Sequence, residues 1–175
     1  KGAGLSEMTR LKLPVPAGFT ITTEVCNKYY DDNKKLPKDL MPAVMKNIAK
    51  MEKKTGKKWN SIKNPLLVSV RSGAATSMPG MMDTILNLGL NEQTVEGLAE
   101  QTKNPRFSWD SYRRFIQLFG KVVFGINDEK FDHVLDTVKE KQGITDDSKL
   151  NVESLKTIVL QYKKICEEHT KRKFP

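Results

Sequence analysis

The chain has 175 residues, enough for one domain with a real hydrophobic core. Hydrophobic residues make up 38%, charged residues make up 29%, and the mean hydropathy is −0.52, which excludes a disordered or fibrous protein. The net charge of +9 comes from 30 Lys and Arg against 21 Asp and Glu. This excess suits partners that carry phosphate, but it also simply keeps a protein in solution.

Strands and glycine loops are predicted for the first half of the chain, together with three helices. Helical spacing and capping residues predict the helices over residues 5–10, 23–30 and 39–55. Side chains that favour β-structure predict a short strand over residues 19–22. Gly56 is the predicted stop of the third helix. Its outer face is rich in lysine, and this face is either simply solvated or able to hold nucleic-acid phosphates.

A pair of strands follows, joined by a loop. The apolar run over residues 66–70 has the length of a buried strand and ends in polar Arg71, while residues 85–90 alternate between apolar and polar. Arg71 would leave the strand with its guanidinium aimed at a phosphate or a carboxylate, and the alternative is a structural ion pair. The loop over residues 77–84 contains Met-Pro-Gly-Met-Met-Asp, which can wrap a planar base or simply fill a core.

Four helices are predicted beyond Asn91. Asn91 caps the first, Asn104-Pro105 opens the second, and Gly143 stops the third. The second carries an apolar stripe that includes Trp109, Tyr112 and Phe119. The change from strands to helices near residue 90 predicts two lobes, residues 1–90 and 91–175.

Few side chains in this sequence favour hydrolytic or metal chemistry. Cys26 and Cys166 lie far apart without zinc-ligand spacing, so a reducing compartment is expected. His133 and His169 fall in helical segments with charged neighbours, where we expect side chains at the surface or between the lobes. Lys1 stands beside two glycines before a helix, a place where a phosphate can bind, although a plain glycine turn explains the same pattern.

Four stretches together resemble the pyruvate phosphate dikinase family. They are residues 1–9 (Lys-Gly-Ala-Gly-Leu-Ser-Glu-Met-Thr), residues 16–24, residues 66–90 and residues 104–119. The most specific part is Ser-Val-Arg-Ser-Gly-Ala at residues 69–74, running into Ser-Met-Pro-Gly-Met-Met-Asp-Thr at residues 77–84. The related phosphoenolpyruvate synthases share Val-Arg-Ser but lack this loop.

The resemblance implies an α+β fold, with a partial ATP-grasp-type nucleotide-binding lobe over residues 1–90 followed by a helical subdomain over residues 91–175. It implies a reaction that converts ATP, phosphate and pyruvate to AMP, pyrophosphate and phosphoenolpyruvate. The phosphorylated histidine of the family lies further along than Pro175, so we expect no catalytic residue in this chain and no activity from this piece alone. The implied ATP-binding residues are Lys1, Arg71, Gly80, Met82, Asp83 and Thr84.

The resemblance also implies Mg²⁺ with ATP, held by acidic residues further along the family chain. Phosphate and pyruvate are then partners of the full-length enzyme, which we expect to be a homodimer without nucleic-acid or membrane partners. We expect a cytoplasmic protein, with an organelle such as a glycosome or plastid left open. Arg113 and Arg114 match an arginine pair whose role stays open. The alternatives are a basic nucleic-acid-binding module and a helical interaction module that uses the apolar stripe.

Overall fold

A computed structural model describes residues 2–73 and 83–175, which fall into two compact units, Lys1–Trp59 and Asn60–Pro175. The described residues contain seven α-helices and one antiparallel sheet of two strands. The predicted α+β class is therefore confirmed.

The first unit is helical. Its helices are α1 (Gly2–Arg10), α2 (Thr23–Asp31) and α3 (Leu40–Thr55). Gly56 ends α3 as predicted, with a left-handed φ of 71° and an N–H that donates to the Glu52 carbonyl. Residues 19–22 form no strand, because none of the described residues pairs with them, and an isolated β-prone segment leaves its backbone groups to water.

The second unit holds the hairpin and the other four helices. Its elements are β1 (Val68–Arg71), β2 (Thr84–Leu88), α4 (Glu92–Thr102), α5 (Pro105–Phe124), α6 (Glu129–Lys141), a 3₁₀ turn (Asp147–Lys149) and α7 (Val152–Thr170). Asn91 caps α4 by accepting from the Gln93 and Thr94 N–H groups at 2.9 and 2.8 Å, and Asn104 caps α5. The predicted Asn91 cap is confirmed, and Asn104, predicted to mark the join between these helices, is the N-cap of α5.

The core of the second unit lies between α5 and α7, with β2, α4 and α6 packed around them. Tyr112 and Ile116 of α5 and Ile158 and Tyr162 of α7 are all at most 1% exposed. The predicted apolar stripe of α5 thus faces its own core, with Trp109 and Phe119 packed against it. Because the stripe packs against this core, it does not form the exposed apolar surface that a helical interaction module would use to bind a partner.

The segment that opens the second unit lies directly on α4. A Cβ atom at Gly97 would stand 1.4 Å from the Ile62 carbonyl oxygen, so only glycine allows this approach. Gln101 donates to the Lys63 carbonyl at 2.7 Å and fixes the same segment. The backbone at Ile62 can therefore pack against α4 only because residue 97 is glycine.

The compact units meet at Trp59–Asn60, whereas the sequence predicted lobes that meet near residue 90. The hairpin groups with the helices because β2 packs against α5. The division into a nucleotide-binding lobe and a helical subdomain describes functional lobes, and it stays a prediction.

Candidate functional site

The end of the hairpin at which its two strands are connected along the chain brings four residues together, Arg71, Ser72, Asp83 and Thr84, which we call the hairpin neck. Arg71 pairs with Thr84 in the antiparallel register. One step further, the Ser72 N–H and hydroxyl both donate to the Asp83 carbonyl, at 3.1 and 3.2 Å. These hydrogen bonds thus fix the backbone of both strands at the neck.

The structure brings together three of the six predicted ATP-binding residues. Arg71, Asp83 and Thr84 all belong to the hairpin neck. In the chain, Arg71 lies twelve positions before Asp83 and thirteen before Thr84. Lys1, Gly80 and Met82 lie outside the described residues.

Arg71 is exposed at the end of β1, and in residues 2–73 and 83–175 it forms no ion pair with an acidic side chain. The prediction that it follows a buried strand is wrong. Only Pro65 and Leu66, just before β1, are buried, while Val70 is 47% exposed. The reason is that β2 supplies the contacts with α5 and β1 lies outside it. A cation in this position is open to an anionic ligand.

A row of polar side chains links α5 to the start of α6. Lys121 donates to Asp128 at 2.7 Å, and Gln117 donates to Asp128 at 2.9 Å and to Asp132 at 3.2 Å. The hydrogen bond and charge of Asp128 raise the pKa of Lys121, and Asp132 and Asp83 add to this rise. Burial tends to raise the pKa of Asp128, but Lys121 and Gln117 outweigh it, so the pKa is lowered. Lys121 and Gln117 thus hold the Asp128 carboxylate at the start of α6.

This polar row was missed in the sequence. Gln117 and Lys121 are four positions apart, which places them on one face of a helix, and that spacing is the available signal. The partner Asp128 lies beyond the end of α5, so its return to the same face depends on the turn between the helices.

The arginine pair of unknown role divides between the core and the surface. Arg113 is 3% exposed and donates to one oxygen of Asp110 at 2.8 and 2.9 Å. Arg114 is exposed and donates to the other oxygen of Asp110 at 3.0 Å. Burial tends to lower the pKa of Arg113, but Asp110 outweighs it, so the guanidinium stays charged. Asp110 therefore joins a buried cation to an exposed one.

Asp147, in the 3₁₀ turn before α7, takes part in the same network. Its carboxylate lies 2.9 Å from the Lys139 ammonium and 3.7 Å from Arg113. Asp146 accepts from the Ser148 N–H at 2.8 Å and orders the 3₁₀ turn. Both carboxylates are structural.

Helix α1 begins at Gly2, directly after Lys1, and contains both glycines of the predicted glycine turn. A Cβ atom at Gly2 would stand 2.8 Å from the Thr20 side chain, so Thr20 packs close to the start of the helix. The start of α1 therefore has the unpaired N–H groups that favour a phosphate, as does every helix start.

The remaining chemically reactive side chains stand apart. His133, His169 and Cys26 are exposed, while Cys166 is buried and burial raises the pKa of its thiol to about 11. Within the described ranges, no three His, Cys, Asp or Glu side chains gather into a metal site. No helix in the described part of the chain has the length and apolar character needed to cross a membrane.

Comparison with known proteins places the chain in a family. The family model "Pyruvate phosphate dikinase, AMP/ATP-binding domain" matches residues 32–172. The proteins named pyruvate, phosphate dikinase from Entamoeba histolytica and Giardia intestinalis are 52% and 51% identical to this chain over all 175 of its residues. The one from Clostridium symbiosum is 47% identical over 96% of the chain. The chain spans about a fifth of the length of these relatives, 20%, 20% and 19%. It belongs to the pyruvate phosphate dikinase family, in the AMP/ATP-binding domain.

Proposed function

We propose that this chain is the ATP-binding part of a dikinase and that the hairpin neck binds the phosphates of ATP. The observation that carries the proposal is the exposed Arg71, which has no acidic partner in the described ranges. An unpaired guanidinium at the end of a hydrogen-bonded strand pair offers parallel N–H donors in a fixed place.

The other neck residues suit the same ligand. Thr84 stands opposite Arg71 and brings a hydroxyl group that can donate to a phosphate oxygen. Asp83 accepts the Ser72 donors through its backbone carbonyl, which fixes the backbone next to Thr84. By the family resemblance, Lys1 adds a second cation, and Gly80 and Met82 belong to the loop over the nucleotide.

We extend the proposal to the whole protein through its relatives. It converts ATP, phosphate and pyruvate to AMP, pyrophosphate and phosphoenolpyruvate, with a phosphohistidine in another part of the protein. The cations of this chain would offset the charge on the transferring phosphoryl groups. Mg²⁺ would accompany ATP, with its protein ligands outside this chain, and the nucleotide-binding lobe would be of the ATP-grasp type.

The compartment and partners that we propose for the protein are also those that the family resemblance implies. It would be a cytoplasmic homodimer without nucleic-acid or membrane partners. One relative from Arabidopsis thaliana is named as chloroplastic and is 47% identical over the whole chain, so an organelle stays open for this protein.

Isothermal titration with ATP tests the site. Arg71→Ala should weaken binding about 10- to 100-fold, because a hydrogen bond to a charged group contributes about 1.5–3 kcal/mol. Arg172→Ala is the matched control, since Arg172 is another exposed arginine, near the end of the chain, and its loss should leave the affinity unchanged. Equal affinities for the Arg71→Ala variant and the unaltered chain would refute the site.

A further inference from the structure

The strand β2 contains a β-bulge where it pairs with β1. Between two flanking pairs of residues, β1 contributes one residue and β2 contributes two, Leu86 and Asn87. The flanking pairs are Val68–Leu88 and Val70–Ile85. Asn87 has a left-handed φ of 58°, and its carbonyl accepts from the Leu90 N–H at 3.1 Å. Asparagine adopts this backbone conformation more readily than most residues other than glycine, so it suits the bulge.

The bulge decides which face of the hairpin each side chain of β2 occupies. Side chains alternate along a regular strand, so residues three positions apart lie on opposite faces. Ile85 and Leu88 are three positions apart, yet Ile85 is 8% exposed and Leu88 packs against the same core. Directly opposed residues of paired strands share a face, so Thr84 lies on the face of Arg71. Both arrangements depend on the extra residue of the bulge.

A regular strand would lose both arrangements. If the pairing set by Val68 and Leu88 continued without the bulge, Arg71 would stand opposite Ile85. Thr84 would then turn to the opposite face of the hairpin, and Ile85 would leave the face that packs on the core. The bulge therefore serves the core and the hairpin neck together.

We propose that Asn87 is a positioning residue for the nucleotide site: its left-handed backbone forms the bulge that keeps the Thr84 hydroxyl on the same face as the Arg71 guanidinium. The inference rests on the proposed function of the hairpin neck, and it assigns Asn87 no direct contact with ATP. Leu90 is 3% exposed within the core, so the hydrogen bond from its N–H anchors the bulge to a packed part of the unit.

Substitutions at Asn87 that change the cost of the left-handed conformation test the inference by isothermal titration with ATP. Asn87→Gly adopts this conformation freely and should bind ATP like the unaltered chain. Asn87→Ala should weaken binding about twofold and Asn87→Val about two- to tenfold, because fewer molecules then present Thr84 beside Arg71. Asn33→Val is the matched control, since Asn33 has a φ of 56° in the first unit, and the affinity should stay unchanged.

Two further measurements separate a role in the nucleotide site from a loss of folding. With Asn87→Val present, Thr84→Ala should weaken binding less than it does alone, because the hydroxyl has already left the site in many molecules. Nuclear magnetic resonance reports the pairing itself. The backbone protons of Arg71 should show Overhauser contacts with those of Thr84 in the Asn87→Gly variant. In the Asn87→Val variant, contacts between Arg71 and Ile85 should replace part of them.

The outcomes distinguish the two proposals. If Arg71→Ala does not weaken ATP binding, the proposed function falls. If Arg71→Ala weakens binding while all three Asn87 variants bind ATP equally well, or while Asn87→Gly binds as weakly as Asn87→Val, the role of Asn87 falls. Should Asn87→Val fail to fold, Asn87→Gly and Asn87→Ala decide: weaker binding by the alanine variant supports the inference, and equal affinities overturn it.

Discussion

The two units of this chain show the same helical periodicity but very different packing. Among the described residues of the first unit, Ile48 is the single buried side chain, at 7% exposure. The second unit buries a continuous core along α5 and α7, in which Ile116 and Ile158 are fully inaccessible. An apolar stripe therefore predicts a helix in both units, but it predicts burial only where other elements cover the stripe.

The largest loss of stability should come from adding a side chain where α4 contacts the backbone of Ile62. Gly97→Ala should destabilise the second unit by about 3 kcal/mol or more, because its Cβ atom would overlap the Ile62 backbone and not a flexible side chain. Urea denaturation followed by near-ultraviolet circular dichroism measures the change.

The matched control for this substitution lies in the first unit. Gly4 lies within α1 with no atom within 4 Å of an added Cβ, so Gly4→Ala should stabilise the helix by up to about 1 kcal/mol. Similar stabilities for the two variants would contradict the close packing described for α4.

A smaller loss of stability is expected at alkaline pH, and it should arise from two tyrosines in the core of the second unit. Burial raises the pKa of Tyr162 to about 12, and burial followed by Glu92 raises that of Tyr112 to about 12. An unfolded tyrosine loses its proton near pH 10, so the unfolded state binds fewer protons between pH 10 and 12 and stability falls across that range.

Tyr162→Phe isolates this contribution. The ring still packs against Phe131, at 4.9 Å between centroids, and the loss of stability between pH 10 and 12 should shrink by about 2 kcal/mol. Tyr30→Phe is the control, since Tyr30 is 63% exposed in the first unit. The same pH dependence in both variants would show that Tyr162 does not drive the alkaline loss of stability.

The helices could be predicted from the sequence because their signals are local. Asn91, Asn104 and Gly56 act within one turn of the residues that they cap, and the spacing of apolar side chains needs no knowledge of the partner. Arg71 could be selected for a similar reason, since it directly follows the apolar run before the loop.

The environment of those residues could not be predicted. The apolar run that ends at Arg71 suggested a buried strand, but exposure depends on which strand contacts α5. Likewise, the pairing of Lys121 with Asp128, and of Asp147 with Lys139 and Arg113, depends on how the helices turn back on each other. Such contacts join residues that carry no shared sequence signal.

The central claim is that ATP binds at the hairpin neck and not through the lysine-rich face of α3. Nuclear magnetic resonance of the isotopically labelled chain during an ATP titration tests it directly. Saturating changes in the amide signals of Arg71, Asp83 and Thr84 are the predicted result. Changes confined to the α3 lysines, with the three neck signals unmoved, would contradict it.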